Sequence, residues 1–500
     1  MLFIFAILGY SDLPTWIQQP RYDKDGQLIK GYLKEKDGET ITLNYLLEDQ
    51  TLLRNPAMGY MIYEEGWAFS GQFGYTPERF WREIEGCGAQ TYNNILYIRL
   101  LWGDLEPEEG KYAWLYDDGF KMYIEKAKKY NLKLAFRVFT HGQKAVPQYV
   151  IDAGGIISNQ HTVDANPQPN YDDPIFIEKL DKFVAAFAAY FDDPDLVDFV
   201  DSYNTGHWGE GNSPTMRDAS NHRLIVDCIT NIYATHFKRV LTVSTLGDTN
   251  VRFMKPLTYE GRGFLQRRDG LGSGYFSIIE QNERNINNEL FFNHRKPLIG
   301  ESCYWFSDGD GTTYTAYKDA GYKDFRDCFT RTISDMYESH SNTMDMRVPL
   351  QCKYYVENLP DQIQRWITIG GYRLYPTKIS YKKDGRKLAI THTWKNTGCG
   401  LLPNYHPNWD HKYQVTFALL DENGKAVHKF TDLSAEPGDW YKDHDYQYSI
   451  SHNVDSSIKG KYTLAVAITD KTKDSNPGIK LSVYEPCKNG EWLVIDQVEF

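Results

Sequence analysis

Two glutamates stand out by position. Glu210 ends the run DSYNTGHWGE that follows the apolar stretch Leu196–Val200, and Glu301 follows directly on the short run PLIG. Carboxylates at strand ends can divide the work of breaking a glycosidic bond. One, kept protonated, gives its proton to the leaving oxygen; the other, kept ionised, attacks the anomeric carbon or activates a water to do so. Burial beside Trp208 would raise the pKa of Glu210, and a neighbouring arginine, Arg99, would hold Glu301 ionised. Trp102, Trp208 and Trp305 are candidates for walls on which a sugar ring stacks, because an indole offers an apolar face with a polar edge.

Other polar residues close neighbouring apolar runs and are expected to bind the substrate. Arg99 and Trp102 do so in YIRLLWGDLEPEEG, Arg137 and His141 in AFRVFTHG, Arg268 and Asp269 in QRRDGLG, and Asp345 and Arg347 in TMDMR; Asn204 and His207 precede Glu210, and Tyr304 and Trp305 follow Glu301. The carboxylates Glu106, Glu108 and Glu109 read as a turn that organises the chain rather than as catalysts.

The elements that must position these residues alternate between strand and helix. NILYIRLL (94–101), LKLAFRV (132–138), Leu196–Val200, Val240–Ser244, PLIG (297–300) and Thr343–Arg347 are strand-like. Between them, Phe120, Tyr123, Ile124 and Ala127 recur at helical spacing, as do Phe176, Leu180, Phe183, Val184 and Phe187; residues 215–239 and 321–338 are helical. Such alternation over residues 51–371 predicts an α/β fold, a (β/α)8 TIM barrel whose strand ends carry the function. A doubly wound sheet would announce itself by a glycine-rich phosphate loop, and no G-x-G-x-x-G follows an early strand. From residue 372 to 500 the pattern changes to short period-two runs, KLAITHTW, YQVTFALL, YQYSIS, KYTLAVAI and WLVIDQV, which predict an antiparallel β-sandwich domain. Residues 1–50 form an N-terminal segment with a small hairpin turning at Asp37-Gly38. Its opening run MLFIFAILGYSD resembles the apolar core of a signal peptide without the basic n-region, which places the protein outside the cytoplasm, secreted or periplasmic.

The segment RNPAMGY followed by IRLLWGDLEPEEGKYAW resembles the opening strands of clan A glycoside hydrolases, whose galactosidase-like branches carry a similar R…W..LEP..G.Y.W run. The order WGEG, RRDGLG, IGES and then GYR before a sandwich resembles a group of bacterial glycosidase-like proteins in which a C-terminal domain of unassigned function follows the barrel. The resemblance covers roughly residues 54–500 and is strongest between 96 and 114. It implies an acid/base after strand four and a nucleophile after strand seven, which by strand count are Glu210 and Glu301, with Arg99 as the arginine against the nucleophile. It also implies retention of anomeric configuration. Many clan members have Asn before the acid/base, holding the sugar 2-hydroxyl; Gly209 stands there, so that contact falls to Asn204 or His207, or the substrate differs at that carbon.

Composition sets the limits. A net charge of −12 disfavours a phosphate-binding or membrane-surface role. Apart from the short N-terminal run, no segment is apolar enough to approach a bilayer span. Aromatic residues make up 15 % of the chain, with 37 tyrosines, which suits either a packed core or a sugar cleft. Seven scattered cysteines without C-x-x-C describe neither a zinc knuckle nor a disulfide framework. The strand ends offer no H-x-H metal cluster, and hydrolysis needs no organic cofactor. The expected partner is therefore a carbohydrate, a β-linked oligo- or polysaccharide that is galactose-containing or, given Arg137, Arg267, Arg268 and Arg347, anionic. The alternatives are a non-catalytic carbohydrate-binding barrel and a metal-dependent hydrolase. In the sandwich, Trp394, Tyr405, His406 and Trp409 belong either to a loop reaching toward the site or to a packed surface between domains.

Overall fold

Eight short strands whose residues are buried almost without interruption make a parallel sheet, the pattern expected when both faces are covered. They are Gly59–Glu64, Asn93–Leu101, Lys133–Phe139, Val197–Asp201, Leu241–Thr245, Leu265–Leu271, Leu298–Ser302 and Thr343–Arg347. The strands pair in chain order from the first to the seventh, and the eighth pairs with the first. Seventh and eighth meet where Asn342 N donates to the Leu298 carbonyl at 2.8 Å, closing the barrel. The computed structural model describes residues 31–65, 76–158, 166–246, 251–273, 281–303 and 321–500. The apolar N-terminal run, Tyr304 and Trp305 lie outside them. Among the described residues no helix is long and apolar enough to cross a membrane, and all seven cysteines are free.

The helices lie outside the barrel. The helix Pro174–Phe191 starts at Asp173, whose carboxylate accepts from Ile175 N, with Pro174 at the first helical position. Its Phe176, Leu180, Phe183, Phe187 and Phe191 form the buried stripe that three- and four-residue spacing dictates. Trp102 and Trp114 fill this stripe, with ring centroids 5.3 Å (Trp102–Phe183) and 5.4 Å (Trp114–Phe187) apart.

The strand-like runs beyond residue 372 are strands, joined by Leu374–Asp384 and Ala426–Asp432, in two antiparallel sheets. One sheet is ordered Tyr32–Asp37, Thr40–Tyr45, Leu374–Asp384, Lys387–Asn396, Tyr446–Asn453. The other is built on Tyr413–Leu420, Lys461–Asp470 and Trp492–Glu499. The sheets face each other: the ring of His392 is hydrogen-bonded to Asp432 across the gap at 2.9 Å. The hairpin turns at Gly38, where φ is +56°, but it does not stand alone. Thr40–Tyr45 pairs with Leu374–Asp384, so the N-terminal segment contributes two strands to the C-terminal sandwich.

His406 and Asn408 pack against the start of the fifth barrel strand, the end away from the strand-end glutamates, while Trp394 stacks on Trp440 within the sandwich and Tyr405 donates to Asp439. Thr242 N donates to His406 Nε2 at 3.2 Å, and Asn408 Nδ2 to the Val240 carbonyl at 2.6 Å. The loop is therefore a packed surface between the domains and does not reach the site. Asn342 does similar work: its amide donates to the Ala57 and Leu401 carbonyls at 3.0 and 2.9 Å and its oxygen accepts from Leu401 N. Asn342→Ala leaves these buried groups unmet and is expected to cost about 2 kcal/mol in urea unfolding, with the chemistry at the far end of the strands unchanged.

Candidate active site

Glu301 lies inside the seventh strand, almost fully buried, and four guanidinium groups converge on it. Arg99 Nη1 and Arg347 Nη1 each lie 2.8 Å from Oε1. Arg267 Nη2 contacts Oε2, and Arg137 Nη2 lies 3.5 Å from the same oxygen. These arginines come from the second, eighth, sixth and third strands, so barrel closure itself assembles the cluster. Aromatic faces support it: Tyr63 lies beneath both Arg99 and Arg347, at 5.5 and 5.1 Å, and Tyr97 beneath Arg137 at 5.7 Å. Arg347 reaches Glu301 by an unusual backbone. Its φ of +57° at the end of a strand is a conformation that bulky residues avoid, and the Nη2 bond to the Ser302 carbonyl at 2.5 Å helps hold it.

Glu210 sits on the loop after the fourth strand. Gly206, Trp208, Gly209 and Gly211 all have positive φ there, which folds GHWGEG into a tight coil over the barrel mouth. Three of the same arginines face it: Arg137 Nη1 at 3.1 Å, Arg267 Nη2 at 3.5 Å and Arg99 Nη2 at 3.9 Å. Burial pushes the Glu210 carboxyl up to about 7; the Asp269 carboxylate adds to the rise, and Arg137 and Arg99 oppose it. A single nitrogen, Arg267 Nη2, contacts both glutamates. Their facing oxygens are therefore within two contact lengths, roughly 7 Å at most.

The other expected residues divide into rim, support and core. Trp208 is half-exposed at the rim. Its ring centroid lies 5.1 Å from that of His207 and 6.3 Å from that of His141, making an aromatic platform beside Glu210. Asp269 is partly exposed and faces Glu210. Arg99 and Arg137 are support, buried beneath the carboxylates.

Four expectations are corrected. Trp102 is no stacking wall: the chain turns into a short helix at the end of the second strand, so the indole points into the helix layer, fully buried, with Nε1 donating to Glu106 at 2.9 Å. Glu106 also accepts from Gly110 N and Tyr149 OH, the organising turn read from EPEEG. Arg268 faces outward to Glu283 at 2.8 Å because side chains alternate along a strand, and its neighbour Arg267 takes the inward position. Asp345 is buried without access to substrate; it accepts from Ser302 N and Oγ, both at 2.7 Å, and pairs with Arg347 Nε at 3.0 Å. Asn204 is fully buried, and neither atom of its carboxamide has a protein partner, so it offers nothing to a sugar hydroxyl at the surface. Of the two residues expected to replace the missing Asn, His207 alone stands at the rim.

Two carboxylates escape sequence reasoning. Glu65, just past the first strand, lies 2.8 Å from Arg99 Nη1 and 3.2 Å from Arg347 Nη1. Asp201 ends the fourth strand beneath Arg137 and Arg267. The only signal for either is an acidic residue closing an apolar run. Each of Arg99, Arg137, Arg267 and Arg347 pairs with at least one of Glu65, Asp201, Glu301 and Asp345.

The strained backbone at Trp208 allows a separation of folding from binding. Trp208→Asn, which tolerates positive φ, is expected to keep or raise the thermal midpoint by relieving about 1 kcal/mol of strain. The same change removes a platform ring and, on the reading of this rim as a sugar site, should weaken saccharide binding by about tenfold in calorimetric titration.

No family model matches this chain, and no curated protein does. Among solved structures, it is similar to endo-glycoceramidase II from Rhodococcus sp. at 13 % identity and TM-score 0.40, over 82 % of this chain and 99 % of that one. It is also similar to a GH5-4 broad specificity endoglucanase from an uncultured bacterium (12 %, TM-score 0.40, 63 % and 94 %). A third is the cold-adapted beta-galactosidase from Rahnella sp. R3 (10 %, TM-score 0.41, 65 % and 59 %). Similarities this distant assign neither a substrate nor the role of any residue.

Proposed function

We propose that this protein is a retaining glycoside hydrolase acting on a neutral, β-linked oligo- or polysaccharide, with Glu210 as general acid/base and Glu301 as nucleophile. The observation that carries the reading is one guanidinium nitrogen touching both glutamates, of which one has a raised pKa and the other is gripped by arginines. In the first step Glu301 attacks the anomeric carbon while Glu210 gives its proton to the departing glycosidic oxygen. In the second, Glu210 takes a proton from water, whose oxygen displaces Glu301. Burial and then Asp269 favour the protonated form of Glu210 at the start, while Arg99 and Arg347 sit directly against Glu301. Each of the four arginines already pairs with a carboxylate, which favours a neutral sugar ring over an anionic one. The platform of Trp208, His207 and His141 stands on the Glu210 side, where the leaving group departs.

One observation favours a second reading, a carbohydrate-binding barrel without turnover: a carboxylate shared among four guanidiniums is a weakened nucleophile. Incubation with a panel of β-linked gluco-, galacto- and manno-oligosaccharides, followed by proton NMR, separates the two. Initial release of a β-configured product supports the retaining hydrolase; an α product means inversion; binding without cleavage supports the second reading.

A further inference from the structure

We propose that Asp201 is a positioning residue that sets the proton affinity of Glu210 by bracing the two arginines that touch both glutamates; this rests on the reading of Glu210 as the acid/base. Asp201 is fully buried at the end of the fourth strand and has no path to substrate. Its Oδ2 accepts from Arg137 Nε at 2.8 Å and from Tyr97 OH at 3.2 Å, and lies 3.4 Å from Arg267 Nε. Both arginines thus present Nε to Asp201 and turn their Nη atoms outward to Glu210 and Glu301. A guanidinium is planar and its nitrogens are fixed relative to one another, so a carboxylate held at Nε dictates where the Nη groups point.

The consequence is electrostatic as well as geometric. Arg137 and Arg267 divide their charge among Asp201, Glu210 and Glu301. The further groups that act on Asp201 are Arg99, Tyr233 and Tyr259, while Glu210 is faced by Asp269 from the sixth-strand end and by Arg99 from the second. Neutralising Asp201 leaves two guanidiniums less compensated. They then stabilise the ionised form of Glu210 more strongly, so its pKa falls.

The test is a carbon-13 NMR titration of the chain labelled at glutamate side-chain carboxyls, with the Glu210 signal identified by its loss in Glu210→Gln. It needs no turnover, so it stands whether or not the protein cleaves sugars. In Asp201→Asn the Glu210 midpoint is expected to fall by about one unit, a tenfold change in proton affinity. The charge-balanced double variant, Asp201→Asn with Arg267→Gln, removes one charge of each sign and is expected to bring the midpoint back toward wild type; it also serves as a check that the folded barrel survives loss of the Asp201 charge. An unchanged or higher midpoint in Asp201→Asn, or a double variant with a midpoint as low as the single, overturns the proposal and leaves Asp201 as an ion pair of the fold. Where a cleavable glycoside is in hand, the alkaline limb of the kcat profile of Asp201→Asn moves down by the same amount while KM stays within about twofold.

Discussion

Glu301→Gln is expected to lower kcat by on the order of 10^4-fold or more, the scale on which loss of a nucleophile is felt. The carboxamide keeps the volume but cannot attack the anomeric carbon. It also removes the charge that Arg99, Arg137, Arg267 and Arg347 share. Leaving such buried guanidiniums uncompensated should cost about 3 kcal/mol, so the thermal midpoint drops while the barrel stays folded. A smaller variant isolates the chemistry. Glu301→Gly opens space inside a ring of unpaired positive charge, which favours a small anion. Added azide is expected to restore turnover of an activated glycoside and to yield the α-glycosyl azide, because it attacks from the face that Glu301 vacates. Stopped or continuous rate assays with product NMR read both outcomes.

Glu210→Gln is expected to lower kcat/KM by about 10^2- to 10^4-fold on substrates whose leaving group needs a proton. The sign of its pH dependence follows from the carboxyl held up to about 7. The acid acts only while protonated, so wild-type activity should fall as pH rises through about 7, and that limb should vanish in Glu210→Gln. A 2,4-dinitrophenyl glycoside needs no proton to depart, so its first step should be nearly spared by the substitution. Equal losses on both kinds of substrate would move the acid role elsewhere.

Much of this site was legible because barrel chemistry sits at strand ends and strand ends can be read from apolar runs. Glu210, Glu301, Arg99, Arg137 and Asp269 are read that way, and the structure brings them together at one end of the barrel. What was not legible depends on side-chain direction. Arg267 and Arg268 are adjacent in sequence, and only strand register decides which faces inward. Trp102 looks like a mouth residue until the turn after Leu101 sends it into the helix layer. Glu65 and Asp201 show in sequence only as acids closing apolar runs, and their meaning comes from arginines contributed by other strands. The hairpin turn at Gly38 was readable from Asp37-Gly38, but its pairing with a strand more than 300 residues away was not, since local pattern carries no information about a distant edge.

The most direct measurement is covalent trapping. The 2-deoxy-2-fluoro glycoside of the sugar identified by the oligosaccharide panel, carrying a dinitrophenolate leaving group, slows both steps but loses its leaving group readily, so a glycosyl-enzyme should accumulate. Intact mass should rise by one fluoroglycosyl unit, and peptide mapping should place the label on Glu301. A label on any other residue, or turnover that gives an inverted product with no trapped species, would contradict the assignment of Glu301 as the nucleophile.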